Sequence, residues 1–200
     1  MNQRQVVIVD TGGANLASLQ FALQRLDVAA IVSADATRIC AASHVILPGV
    51  GAAAHAMTRL RRLGLDAVIP TLRQPVLGIC LGMQLLFEAS EEGAAQCLGI
   101  IPGCAIRFDD SPARPVPHMG WNTLELLRDT SLLTGIADGE YAYFVHSYAL
   151  PPIDATVAIS TYGAGFSACV EWRNFFGAQF HPERSAAVGS RVLQNFLAMH

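Results

Sequence analysis

The sequence predicts an α/β fold: a mostly parallel central sheet flanked by helices, with an antiparallel extension. Three observations predict it. Strand-like and helix-like segments alternate through about residue 90, the pattern that builds right-handed crossovers and covers both faces of a sheet. The strands of this half are unbroken aliphatic runs, as expected where both faces are buried. After Ser90-Glu91-Glu92-Gly93 the pattern changes to short, alternating strands with many Gly and Pro residues.

Each element has its own justification. Val6-Val7-Ile8-Val9 is a β-branched run and the first strand. Asp10-Thr11-Gly12-Gly13-Ala14-Asn15 is a Gly-rich turn that lacks the G-x-G-x-x-G spacing of a dinucleotide loop. Leu16, Leu19, Leu23 and Leu26 recur at helical spacing and predict a helix from Leu16 to Leu26. A strand over 28–32, a short helix over 34–40 and a strand His44–Leu47 follow, the last ending at Pro48-Gly49-Val50-Gly51. Residues 52–63 and 65–72 read as helices, with Arg59, Arg61 and Arg62 on a solvated face. Val76–Ile79 is a buried strand, and Leu81 to Glu88 are mostly good helix formers. Later strands are expected at 105–108, 141–145, 155–160, 168–172 and 175–180. Ser111 to Pro117 holds three prolines and reads as an irregular loop. Ser185 to Met199 closes the chain as a helix with Val188, Val192, Phe196 and Met199 on one stripe. The whole reads as one domain, residues 1–200.

Composition narrows the function. A hydrophobic content of 52% with 14% charge describes a compact globular protein. A net charge of −3 offers no footprint for nucleic acid. No apolar run approaches a membrane span and no export signal precedes the first strand, so a cytoplasmic protein is expected. The five cysteines are odd in number and contain no C-x-x-C pair, which argues against a disulfide framework or structural zinc. No cofactor or metal is expected.

The chain is organised around Gly78-Ile79-Cys80-Leu81-Gly82. This is a G-x-nucleophile-x-G elbow with Cys in place of Ser. A tight turn strains the central backbone, and flanking glycines remove Cβ atoms that would clash. The elbow puts the thiol at a helix N-terminus, which favours thiolate, and aims the Leu81 N–H at a developing oxyanion. The bland alternative is a small buried hydrophobe. A Cys nucleophile needs a base, and the base needs an orienting partner. Gln179-Phe180-His181-Pro182-Glu183 offers both: His181 follows a strand, and Pro182 fixes the chain so that Glu183 can turn back toward the imidazole.

P-G-V-G at 48–51, G-I-C-L-G-M-Q at 78–84 and Q-F-H-P-E at 179–183 resemble the three signatures of class I (triad-type) glutamine amidotransferases. More narrowly, Pro117-His118-Met119-Gly120-Trp121-Asn122, Tyr143-Phe144-Val145-His146-Ser147-Tyr148 and the opening Asp10…Asn15 resemble the glutaminase subunits of imidazole glycerol phosphate synthases, of histidine biosynthesis. The resemblance covers essentially the whole chain and implies a flavodoxin-like α/β fold. It implies that Cys80 attacks the side-chain amide of L-glutamine, that His181 is general base and acid, and that Glu183 holds its tautomer. It implies an oxyanion hole at Leu81, Val50 and Gly51, with the glycines of the Gly49-Val50-Gly51 loop letting its peptide rotate. Gly49, Gln84, His146, Ser147 and Tyr148 resemble the substrate-binding positions. The implied partner is a (β/α)₈-barrel cyclase, forming a heterodimer and receiving the ammonia directly, and its ligand would switch the oxyanion loop. Asn15, Met119, Trp121 and Tyr143 resemble positions facing that barrel; the alternative for Trp121 is core packing. His118 reads as structural or interfacial.

The chain departs from the subfamily at Thr11, usually aromatic, at Ala14, usually Gly, and at Arg184, usually Lys. Three other functions compete. One is a paralogue feeding a sugar amidotransferase, one a non-catalytic scaffold that has kept the fold, and one a stand-alone Cys hydrolase.

Overall fold

A computed structural model describes residues 5–12 and 16–200. In the first half the chain runs β1 (Val6–Val9), α1 (Leu16–Gln24), β2 (Ala30–Ser33), α2 (Ala36–Ala41), β3 (His44–Leu47), α3 (Ala53–Arg62), α4 (Leu65–Val68), β4 (Val76–Ile79) and α5 (Leu81–Leu85). The second half contributes β5 (Phe87–Ser90), β6 (Ala95–Gln96), β7 (Ile101–Arg107), β8 (His118–Thr123), β9 (Glu125–Leu126), β10 (Tyr141–His146) and β11 (Tyr148–Ala149). It ends with β12 (Thr156–Tyr162), β13 (Ala164–Trp172), β14 (Phe175–Ala178) and α6 (Ala186–Ala198).

The main sheet has eight strands in the order β2-β1-β3-β4-β14-β13-β12-β9. Pairing from β2 to β14 is parallel, and β13, β12 and β9 continue it antiparallel. The expected mostly parallel sheet with an antiparallel extension is therefore present. The inner parallel strands β1, β3, β4 and β14 are buried on both sides because successive residues serve two cores, whereas the edge strand β2 is only partly covered. Val6 and Ile8 pack with α1 and α6, while Val7 and Val9 pack with α2, α3 and α4. Two smaller sheets lie apart from it: a ribbon of β8 and β10, and a four-stranded sheet β11-β7-β5-β6.

Several expected boundaries shift, each for a physical reason. The second strand begins at Ala30 rather than 28, because the Val28 N–H returns to Leu23 O at 3.1 Å and finishes the turn after α1. The helix after Cys80 ends at Leu85 instead of Glu88, and Phe87–Ser90 is a strand. Phe87 is drawn into β5 by pairing with β7, so tertiary burial overrides the helical propensity of the run. Residues 65–72 divide into α4 and one 3₁₀ turn, Ile69–Thr71, where Pro70 interrupts the ladder. The basic face of α3 is less free than expected. Arg59 pairs with Asp10 at 3.1 Å, and Arg61 donates to Gln96 O at 2.6 Å.

Parallel register decides where the chemistry gathers. Ala178 stands opposite Ile79, so Cys80 and the run from Gln179 to His181 leave the same edge of the sheet side by side. Ligands of open α/β sheets bind at that carboxyl edge.

Candidate active site

Cys80 has φ +53° and ψ −112°, a conformation L-residues avoid at a cost of about 1–3 kcal/mol. Its N–H donates to Ala178 O at 2.8 Å, which ties the bend to β14. A Cβ at Gly82 would overlap the Leu47 carbonyl oxygen, and one at Gly49 would lie 2.9 Å from the Gly82 nitrogen. The Pro48–Gly51 loop thus packs backbone against backbone on the elbow, which only glycine permits. With α5 only five residues long, few aligned peptides stand behind the sulfur. Local N–H groups rather than the macrodipole are what α5 offers it, a correction to the sequence expectation. Leu81, at the first helical position, has no intrahelical acceptor for its N–H.

His181 enters from β14. Its Nδ1 lies 2.9 Å from Glu183 Oε1, across the turn Pro182–Arg184. Its own N–H donates to Tyr143 O at 3.0 Å, while Ser185 Oγ donates to His181 O at 2.8 Å and accepts from the Tyr143 N–H at 2.9 Å. Fully buried Ser185 therefore clamps the turn to β10. Nε2 of His181 is buried and closes no hydrogen bond. Burial pulls the pKa of His181 down, but its interactions with Cys80 and Glu183 outweigh that and raise it to about 10. The imidazolium is thus favoured next to the sulfur, although the direct Cys80–His181 hydrogen bond is open in this state. Catalytic hydrogen bonds commonly tighten only when substrate is bound.

Cys80, His181 and Glu183 line one cleft of about 450 Å³. The loop residues Gly49, Val50 and Gly51, together with Leu81, Gln84, His146, Ser147 and Tyr148, border the same cleft. Every sequence-selected catalytic, oxyanion and substrate position is brought together there. Gln84 is engaged: its Nε2 donates to Tyr148 O at 2.8 Å and to Gln179 Oε1 at 3.0 Å. Its carbonyl oxygen is what it has left to offer a ligand. His146 faces the cleft but is also structural, with Nδ1 2.9 Å from Tyr148 O and Nε2 3.1 Å from His118 Nδ1. The remaining cysteines lack these surroundings. Burial pushes the Cys169 thiol up, and burial with neighbouring Cys104 pushes Cys97 up to about 11.

Sequence reasoning missed Glu92, Ser185 and Gln179. Glu92 borders the cleft and is, with Glu183, one of its two carboxylates among the described residues. Its Oε2 accepts from the Ala53 N–H at the start of α3, at 2.8 Å. Nothing local signals this, since the two residues are 39 positions apart.

Met119 and Trp121 are 67% and 52% exposed on the ribbon, so core packing is excluded for Trp121. Tyr143, directly across from Trp121, meets its ring edge to face at 5.9 Å and carries the Arg184 guanidinium at 4.8 Å. Asn15 and Ala14 lie outside the described residues. Thr11 is buried, and its hydroxyl donates to Pro48 O at 3.3 Å, joining the first turn to the Pro48–Gly51 loop.

The family model described as glutamine amidotransferase class-I matches residues 7–199. Imidazole glycerol phosphate synthase subunit HisH of Xylella fastidiosa (strain Temecula1 / ATCC 700964) is 52% identical over 195 residues, covering 98% of each chain. The protein of the same name from Xanthomonas oryzae pv. oryzae (strain MAFF 311018) is 52% identical over 194 residues, covering 97% of each. Among solved structures, PurLQS from Thermotoga maritima aligns with a TM-score of 0.69 at 20% identity, covering 98% of both chains. A crystal structure of a glutamine amidotransferase aligns at 0.74 and 18% identity, covering 96% of both. The structural matches establish the fold.

Proposed function

The chain belongs to the class-I glutamine amidotransferase family, and from that premise we propose that it is the glutaminase subunit of an imidazole glycerol phosphate synthase. The full-length relatives support the subunit assignment. One observation carries the chemistry: a strained Cys80 borders the same cleft as a histidine whose Nδ1 is held by Glu183.

In this reading the Cys80 thiolate attacks the side-chain carboxamide carbon of L-glutamine. The oxyanion is met by N–H groups of Leu81 and of the Gly49-Val50-Gly51 loop. His181, held as imidazolium, gives its proton to the departing nitrogen, and ammonia leaves a γ-glutamyl thioester. The neutral imidazole then takes a proton from water, which attacks the thioester and releases glutamate. Glu183 keeps the proton on Nδ1 throughout, so that Nε2 does the transfer. The amino-acid head of glutamine sits against Gln84, Ser147 and Tyr148, and Glu92 supplies a carboxylate for its α-ammonium.

Ammonia released to water at neutral pH becomes ammonium, which is no nucleophile. A cyclase subunit must therefore receive it directly, and the proposed partner is a (β/α)₈ barrel docked on the ribbon face carrying Met119, Trp121 and Tyr143. Gly51 has φ +86° and an uncrowded Cα, as a peptide that rotates on partner binding requires. The testing experiment mixes the chain with the histidine-pathway cyclase and follows glutamate release. Release is expected to be weak alone and to rise with the cyclase and its nucleotide substrate. High activity indifferent to both would refute the coupling.

A further inference from the structure

Gln179 belongs to the Q-F-H-P-E run, yet the mechanism above gives its side chain no task. It is fully buried just beyond β14, with its N–H donated to Ala168 O at 2.8 Å. A buried carboxamide without partners is costly, so the groups its two ends meet are informative. Its oxygen accepts from Gln84 Nε2 at 3.0 Å, and its nitrogen donates to Cys80 Sγ at 3.8 Å.

The chemistry of the far end fixes the direction of this bridge. The Tyr148 carbonyl can only accept, so Gln84 must turn its NH₂ group toward it, at 2.8 Å. That same NH₂ meets Gln179, which must answer with oxygen and turn its own NH₂ to the sulfur. The Tyr148 carbonyl also takes the His146 Nδ1–H at 2.9 Å. His146 Nε2 then accepts from His118 Nδ1 at 3.1 Å, and His118 Nε2 accepts from Asn122 Nδ2 at 3.3 Å. Every member of the set has one allowed orientation, and each supports that of Gln179.

The other neighbour of the sulfur is the Val145 carbonyl oxygen at 3.7 Å. An acceptor suits a thiol S–H and opposes a thiolate, whereas the Gln179 N–H favours the anion. The two partners discriminate between the protonation states of the nucleophile. We infer that Gln179 is a further catalytic group, whose carboxamide N–H stabilises the Cys80 thiolate before attack and again when the thioester breaks. The inference rests on the proposed role of Cys80. Thioester sulfur is a poor acceptor, so the contact is strongest in the two states where sulfur carries charge.

The test uses the complex with the cyclase and two substitutions. Gln179→Met keeps the length and removes both polar atoms. Gln179→Glu keeps an acceptor for Gln84 and exchanges the NH₂ that faces the sulfur for a carboxylate oxygen, which removes the donor and adds a charge that opposes the thiolate. Alkylation of Cys80 by iodoacetamide is followed across pH and located by peptide mapping. In both variants the midpoint is expected to rise by about one pH unit or more, and kcat for glutamine near neutrality to fall about tenfold. An unchanged midpoint in Gln179→Met with an unchanged Tm would overturn the inference. If that variant fails to assemble, Gln179→Glu decides on the same criterion. Absence of label on Cys80 in the unsubstituted complex would instead overturn the nucleophile itself, which separates the two failures.

Discussion

His118 Nδ1 donates to His146 Nε2 across 3.1 Å inside the protein, and because His118 Nε2 in turn accepts from Asn122 Nδ2 at 3.3 Å, both rings are neutral in this arrangement. His146 Nδ1 must carry a proton for the Tyr148 carbonyl, so its Nε2 is the acceptor, and His118 must donate from Nδ1. Burial lowers the pKa of His118 to about 4. Burial, reinforced by the charges of His118 and His181, takes that of His146 to about 3 against the raising effect of its Tyr148 bond.

This pair makes the fold acid-sensitive. The unfolded chain binds these protons near pH 6.5 and the folded chain does not, so the stabilisation is complete above that pH and lost as pH falls toward about 4 and about 3. Tm is expected to drop between about pH 6.5 and 4.5, with at most about 1.4 kcal/mol per pH unit from each ring. His118→Gln should flatten that slope. His181 acts oppositely: its pKa is raised to about 10, so its contribution is full below about pH 6.5 and lost as pH climbs toward 10. Thermal melts across pH check both arms.

Trp121→Ala is expected to weaken association with the cyclase by about 2 kcal/mol, roughly thirtyfold in Kd. Tm of the lone chain should hardly move, because the indole is half exposed. Titration calorimetry gives the first quantity and a melt the second.

Ser185→Ala removes the hydroxyl that joins His181 O to the Tyr143 N–H. The His181 carbonyl keeps the Arg184 N–H at 3.0 Å, so the buried Tyr143 N–H is the group left unpaired, at a cost of about 1–3 kcal/mol of stability. Because the turn carrying His181 and Glu183 loses one of its two ties to β10, kcat should fall more than KM rises in steady-state assays.

Glu92→Gln is expected to raise KM for glutamine about tenfold or more with a smaller change in kcat, since the contact proposed for it is to the α-ammonium rather than the reacting amide. Retained KM would move Glu92 to a purely structural role at the start of α3.

The inner strands of the parallel half are legible because they are short aliphatic runs. β1, β3 and β4 were read to the residue. β5 and β8 are not, because Phe87–Ser90 continues a run of helix formers and His118–Thr123 shows no clean alternation of apolar and polar residues. The site divides in the same way. Cys80, His181 and Glu183 announce themselves through local chemistry, an elbow and a strand end followed by Pro. Ser185 sits at the N-cap of α6, where sequence reasoning assigns it to the helix, yet its hydroxyl serves His181. Gln179 and Glu92 acquire their roles from groups 99 and 39 residues away, and no local pattern encodes such contacts.

The most direct test is Cys80→Ala in the complex with the cyclase, assayed for synthesis from glutamine and from added ammonium salt. Glutamine-driven synthesis is expected to disappear while ammonium-driven synthesis persists at the level of the unsubstituted complex. Glutamine-driven synthesis that survives the loss of this sulfur would contradict the role of Cys80.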